Sequence, residues 1–142
     1  MTEARYTAEA HVTGGRNGRA TTTDGALDLK LRMPKEMGGD GEGSNPEQLF
    51  AIGYAACFGT TLDLLGQSTG RRADDAEIDA AVSLIPNGAG GFRLGVELRI
   101  SLPSLTAAEA AGLARAAHRA CPYSNATRGN IEVALVVNGE SL

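Results

Sequence analysis

Two residues, Cys57 and Cys121, carry most of the chemistry this sequence can do, and their settings differ. Cys57 lies inside the apolar run Phe50-Ala-Ile-Gly-Tyr-Ala-Ala-Cys-Phe58, which reads as a buried helix. Cys121 closes a second helical pattern directly before Pro122. One thiol is expected in a dry pocket and the other where the chain can bend. That asymmetry suits one thiol that attacks an oxidant and a second that relieves it.

A thiol is a useful nucleophile only as the thiolate. Burial among Phe50, Tyr54 and Phe58 disfavours the charged form, and Cys57 sits too far along its helix to gain from the N-terminal dipole. A working Cys57 therefore needs a cation from elsewhere. Arg71, Arg72, Arg93, Arg99, Arg115 and Arg119 read as solvated faces. Arg16 differs, because the turn Gly14-Gly15-Arg16-Asn17-Gly18 could aim its long side chain inward, although a turn arginine can equally be just exposed. Glu47 reads first as a first-turn acid offsetting the helix dipole. Its alternative is to pair with an arginine and fix the guanidinium fork.

Cys121 has the reverse setting, since the negative end of a helix favours the protonated thiol. Fraying at Pro122 could swing its sulfur toward Cys57. Attack on a sulfenic acid by a second thiol gives a disulfide and blocks irreversible oxidation. Two inert buried thiols are the plain alternative. Zinc is another: His118-x-x-Cys121 could put two ligands on one helical face, and His11 is also present. The usual pairings of zinc sites are absent, however, so no metal is expected.

These residues must be placed by elements that the patterning suggests. Tyr6, Ala8, Ala10 and Val12 alternate with Thr7, Glu9, His11 and Thr13, as in a half-buried strand. The glycine turn at 14–18 leads back into Arg19–Thr23, and Asp24-Gly25 turns into Leu27, Leu29, Leu31 and Met33, completing a three-stranded meander. A glycine-rich loop over 34–44 precedes Asn45-Pro46-Glu47, a capping side chain followed by proline at the first helical position. The helix should run from Pro46 to about Gly66. Two alternating runs around Pro86-Asn-Gly88 form a hairpin, Ile78–Leu84 with Phe92–Ile100. Thr106-Ala-Ala-Glu109 is a capping box for a helix ending at Cys121-Pro122, and a short turn or helix near Ser124 leads to a last strand, Ile131–Val137. The order βββ-α-ββ-α-β, mainly antiparallel, makes an α+β fold in one domain, 1–142.

Composition narrows the possible partners. A formal net charge of -4, 4% aromatic residues and no Trp argue against nucleic acid. The polar start, Met1-Thr-Glu-Ala-Arg-Tyr, lacks a secretory apolar stretch, and Gly53 and Gly59 should leave the Cys57 helix too short to span a bilayer. A cytoplasmic protein is expected, with no membrane partner, in which any Cys57–Cys121 disulfide would be transient.

Three segments then resemble the organic hydroperoxide resistance protein family of the OsmC-like superfamily, and the resemblance covers nearly the whole chain. They are Gly14-Gly15-Arg16-Asn-Gly-Arg19, Asn45-Pro-Glu-Gln-Leu-Phe-Ala-Ile-Gly-Tyr-Ala-Ala-Cys57 and Cys121-Pro-Tyr-Ser-Asn-Ala-Thr-Arg-Gly-Asn130. The last favours the hydroperoxide-resistance branch over OsmC proper. The resemblance implies a cysteine-based peroxidase that protects against organic peroxide stress. Cys57 would be the peroxidatic thiol and Cys121 the resolving one. Arg16 would stabilise the thiolate, with Glu47 as its carboxylate partner. It also implies an intertwined homodimer with sheets wrapped around two central helices, no bound cofactor, and dihydrolipoyl groups of a lipoylated protein as reductant. Phe50, Tyr54 and Phe58 would favour bulky alkyl or fatty-acid hydroperoxides, unless they are plain core. A small-ligand module with structural thiols and a redox sensor are the rival readings.

Helix geometry adds an expectation. Glu47 and Cys57 are separated by roughly 15 Å along a straight helix and lie on different faces. A single arginine can hardly serve both within one subunit, so the Arg16–Glu47 pair should reach Cys57 from the other subunit.

Overall fold

A glycine-bounded turn and a capped helix start organise the first part of the chain, while a sheet covered by helices organises the rest. A computed structural model describes residues 2–142. Met1, where the N-terminal reading begins, lies outside the described residues. The chain groups into two compact units, residues up to Leu49 and residues from Phe50 onward.

In the first unit, β1 (Ala10–Thr13), β2 (Arg19–Thr22) and β3 (Asp28–Lys30) form the expected antiparallel meander. Its strands are shorter than the alternation suggests. Ala10 is paired with Thr22, and one further bond, from the Thr23 amide to the Glu9 carbonyl at 3.0 Å, ends the ladder as the chain turns at Thr22–Gly25, so β1 does not extend back to Tyr6. Likewise β2 begins at Arg19, opposite Lys30, so Leu31 leaves β3 and bridges to Ser44 instead. That bridge brings the end of the glycine-rich loop to the start of α1 (Pro46–Ser68). Asn45 caps α1 as anticipated: its Oδ1 accepts from the Gln48 amide at 2.9 Å, and Gln48 Oε1 accepts from the Asn45 amide at 3.1 Å.

Helix α1 runs through Gly53 and Gly59, contrary to the expectation that they would cut it short. A helical glycine costs about 1 kcal/mol relative to alanine, which tertiary packing readily offsets. By length and composition alone the helix could therefore cross a membrane. Its Tyr54, Phe58, Leu62 and Gly66 are nevertheless buried in a protein core, each of the large side chains worth about 1.5–3 kcal/mol of burial.

The second unit is built on a four-stranded sheet ordered β4 (Glu77–Pro86), β5 (Phe92–Ser101), β6 (Glu132–Val137), β7 (Glu140–Ser141). The β4–β5 hairpin pairs Glu77 with Ser101 through Pro86 with Phe92. Strand β6 runs parallel to β5, because the chain between them crosses over through α2 (Ala107–Ala120) and α3 (Pro122–Thr127). The capping box at Thr106 and Glu109 opens α2 as expected. Val96, Leu98 and Ile100 of β5 alternate inward with Leu135 and Val137 of β6, and meet Ala110, Leu113, Ala114 and Ala117 of α2. The architecture is α+β, with one parallel pair in an otherwise antiparallel sheet.

Candidate active site

Arg16 occupies a single 3-10 turn, Gly15–Asn17, whose approach needs left-handed backbone at Gly14, φ 71°, and Gly15, φ 54°. Gly18 closes the turn, and a Cβ there would lie 1.6 Å from the Thr13 carbonyl oxygen, so no side chain fits. Arg32 donates to the Asn17 carbonyl at 2.8 Å, and the Leu31 amide donates to the Gly18 carbonyl at 2.8 Å, tying the turn to the residues that follow β3. From this platform the Arg16 guanidinium meets the Glu47 carboxylate with two bonds, Nη1 to Oε2 at 2.7 Å and Nη2 to Oε1 at 2.8 Å. The fork is thus oriented by a carboxylate that is itself held on the first turn of α1. Arg16 holds Glu47 below the usual carboxylate range, and Glu47 in turn raises the already high pKa of Arg16. Both groups stay ionised. Arg19 is committed to Asp28 on an exposed face, at 2.7 and 2.5 Å.

In the second unit, the Sγ atoms of Cys57 and Cys121 lie 3.7 Å apart, both as free thiols. The expected contrast of environments is reversed. Cys121 has no exposed surface, whereas Cys57 is only partly buried. The reason is that the chain does not fray at Pro122. Cys121 is at once the C-cap of α2 and the N-cap of α3, and its amide donates to the Ala117 carbonyl at 2.8 Å while its carbonyl accepts from Asn125 at 2.9 Å. Proline at the first position of α3 suits a helix start, so the corner folds inward.

Burial pushes the Cys57 thiol above its ordinary value, a hydrogen bond from the Tyr123 amide pulls it down, and the adjacent Cys121 pushes it up again. None of these influences is a cation. The aromatic residues divide: Tyr54 and Phe58 have no exposed surface and belong to the core, while Phe50 is partly exposed and packs edge-on against Tyr54 and Tyr123 at centroid distances of 6.3 Å. Tyr123 lies against α1 because residue 53 is glycine: a Cβ there would sit 2.8 Å from the tyrosine Oη.

A polar chain beside the sulfurs went unread in the sequence. Ser124 Oγ lies 2.7 Å from Tyr54 Oη and 2.8 Å from His118 Nδ1, and Thr127 Oγ1 is 3.4 Å from Tyr54 Oη. The only signal was spacing, with Tyr54 three residues before Cys57 and Ser124 three after Cys121. Among the described residues no three His, Cys, Asp or Glu side chains gather as a metal would require.

The chain is similar to known proteins over nearly its full length. The family model of OsmC-like proteins matches residues 39–136. An organic hydroperoxide resistance protein of Xanthomonas axonopodis pv. citri is 52% identical over 136 residues, covering 93% of this chain and 94% of the relative. Organic hydroperoxide resistance protein OhrB of Bacillus subtilis is 44% identical over 133 residues, covering 93% and 97%. The crystal structure of that OhrB superposes with a TM-score of 0.86 at 43% identity, covering 95% of this chain and 100% of the other. An organic hydroperoxide resistance protein from Elizabethkingia anophelis, solved with thiocyanate bound, gives a TM-score of 0.89 at 44% identity, covering 96% and 98%. Two paired thiols, an oriented guanidinium and likeness over nearly the full chain converge: the chain belongs to the organic hydroperoxide resistance proteins of the OsmC-like family.

Proposed function

We propose that the protein is a thiol peroxidase that reduces organic hydroperoxides to alcohols and so protects against organic peroxide stress. The observation that carries the reading is the approach of two free sulfurs to 3.7 Å, about 1.7 Å beyond bonding distance. The relatives named for organic hydroperoxide resistance support the substrate class. In the first step Cys57 thiolate attacks the distal oxygen of R–O–O–H. The O–O bond breaks, Cys57 becomes a sulfenic acid, and the departing alkoxide takes a proton to leave as R–OH. Cys121 then attacks the oxidised sulfur, forming the Cys57–Cys121 disulfide and releasing water. A dithiol restores both thiols through a mixed disulfide and is itself oxidised to a cyclic disulfide. The expected dithiol is a dihydrolipoyl group carried by a lipoylated protein, and no bound cofactor takes part.

A positive charge would favour ionisation of Cys57, and none is among the influences on its thiol. The Arg16–Glu47 pair is a cation already aimed and neutralised on one side. We assign it to Cys57 of a second copy of the chain, in an intertwined homodimer with the sheets wrapped around the central helices. Ile52 and Leu64, large apolar residues on α1 that are 66% and 60% exposed in the single chain, support a covering subunit there. The partly exposed Phe50 would meet the organic group of the substrate. A transient disulfide fits the reducing cytoplasm. With cumene or tert-butyl hydroperoxide and dihydrolipoamide, the wild type should turn over repeatedly, and much faster than with glutathione or thioredoxin. Equal turnover by wild type and Cys57→Ser would overturn the reading.

A further inference from the structure

The hydroxyl of Ser124 is the most constrained polar group near the sulfurs that the peroxidase cycle leaves unused. It is fully buried, and so is Tyr54, so neither hydroxyl can exchange its partner for solvent. The bond between them joins α1 to α3, as the Cys57–Cys121 contact joins α1 to the α2–α3 corner. Tyr54 precedes Cys57 by three residues and Ser124 follows Cys121 by three, so the two contacts are neighbouring rungs between the same elements, one turn apart. A serine hydroxyl has one proton to donate. With that proton on His118 Nδ1, Ser124 accepts from Tyr54, and the chain Tyr54 to Ser124 to His118 is satisfied throughout. Burial and the charge of Arg128 push the His118 pKa down, which favours an accepting Nδ1. Arg128 also closes the corner from behind, donating to the His118 carbonyl at 2.6 Å and to Asn125 Oδ1 at 2.7 Å.

We propose that Ser124 is the positioning residue of the resolving step: held between Tyr54 and His118, it locks α3 so that the Cys121 sulfur faces Cys57 when the sulfenic acid forms. The proposal rests on the peroxidase reading. In that step the Cys121 sulfur bonds to the Cys57 sulfur, the S–O bond breaks, and the hydroxyl leaves as water with the Cys121 proton. Its competitor is a second peroxide, which takes the sulfenic acid on to sulfinic acid. The lock acts on the ratio of these two fates and leaves the first attack alone.

The test separates the steps in single turnover with tert-butyl hydroperoxide. In a Cys121→Ser background, adding Ser124→Ala should leave the rate of sulfenic acid formation, read by dimedone trapping, within about twofold, since no hydrogen bond to the reacting sulfur is removed. In the chain with both cysteines, Ser124→Ala should slow disulfide formation about tenfold, the scale of one lost buried hydrogen bond. Mass spectrometry should then find more Cys57 sulfinic acid under excess peroxide. Tyr54→Phe, which keeps the ring and removes only its hydroxyl, should give the same split, and Ser124→Thr should recover much of the disulfide rate. Unchanged disulfide formation in Ser124→Ala and Tyr54→Phe overturns the lock, and so does an equal fall in both steps, which would assign the hydroxyls to stability alone. A wild type that consumes peroxide but never forms the Cys57–Cys121 disulfide overturns the peroxidase cycle itself.

Discussion

Arg16 is held by an exposed, glycine-shaped turn and one carboxylate, whereas Cys57 and Cys121 meet at the edge of an apolar core under a tightly hydrogen-bonded corner. In the first region backbone geometry does the positioning: a Cβ at Gly18 has no room, and Glu47 receives both arms of the guanidinium. In the second, packing and buried hydroxyls do it. The chemical settings are complementary. Charge is easily kept where the chain is wet, whereas even partial burial pushes the Cys57 thiol up.

The largest expected effect comes from removing the sulfur. Cys57→Ser should abolish hydroperoxide-dependent oxidation of dihydrolipoamide. Removing the cation comes next. Arg16→Ala should lower kcat/KM by about 100- to 1000-fold, as for other lost charge-stabilising donors at a reacting centre. The Cys57 thiol should then titrate clearly higher than in the wild type, as followed by thiolate absorbance, and an unchanged titration would separate Arg16 from the sulfur. Glu47→Gln keeps the side-chain length but loses the charge that orients the fork, and a fall in kcat/KM of about tenfold is expected. The same variant has a pH signature. Because Arg16 depresses the Glu47 pKa in the folded chain, the pair stabilises the fold above the unfolded value of about 4.3, and that stability is lost as pH falls through the still lower folded value. The difference in Tm between wild type and Glu47→Gln should therefore shrink on acidification below that point. The smallest effect belongs to Gly53→Ala, whose added methyl displaces the Tyr123 ring and should change kcat/KM for cumene hydroperoxide by only a few-fold.

Much of this comparison was legible in the residues. The Asn45 cap, the Thr106–Glu109 box and the β4–β5 hairpin follow from local rules that leave few alternatives. The glycine-flanked setting of Arg16 marked a side chain that the backbone could aim. Strand ends were less legible: alternation continues through Tyr6 and Ala8, but hydrogen-bonding length is set by where the neighbouring strand turns. The burial of Cys121 was misread for a related reason. Proline after a helix signals a stop, yet the same proline opens α3, and a second helix folding under the first is a tertiary event. The Tyr54–Ser124–His118 chain joins residues 70 positions apart, and no local pattern announces such a bond.

The central claim is that the Arg16–Glu47 pair of one copy serves Cys57 of the other, and subunit complementation tests it most directly. Arg16→Ala and Cys57→Ser homodimers, each inactive or nearly so, would be mixed, unfolded and refolded together. Heterodimers then contain one site with both an intact Cys57 and an intact Arg16 only if the two come from different chains. The account predicts recovered tert-butyl hydroperoxide turnover approaching one quarter of the wild-type rate in a statistical mixture, since about half of the dimers are mixed and each holds one working site of two. Turnover that stays at the level of the two parent variants, with heterodimer formation verified by mass spectrometry, would contradict it.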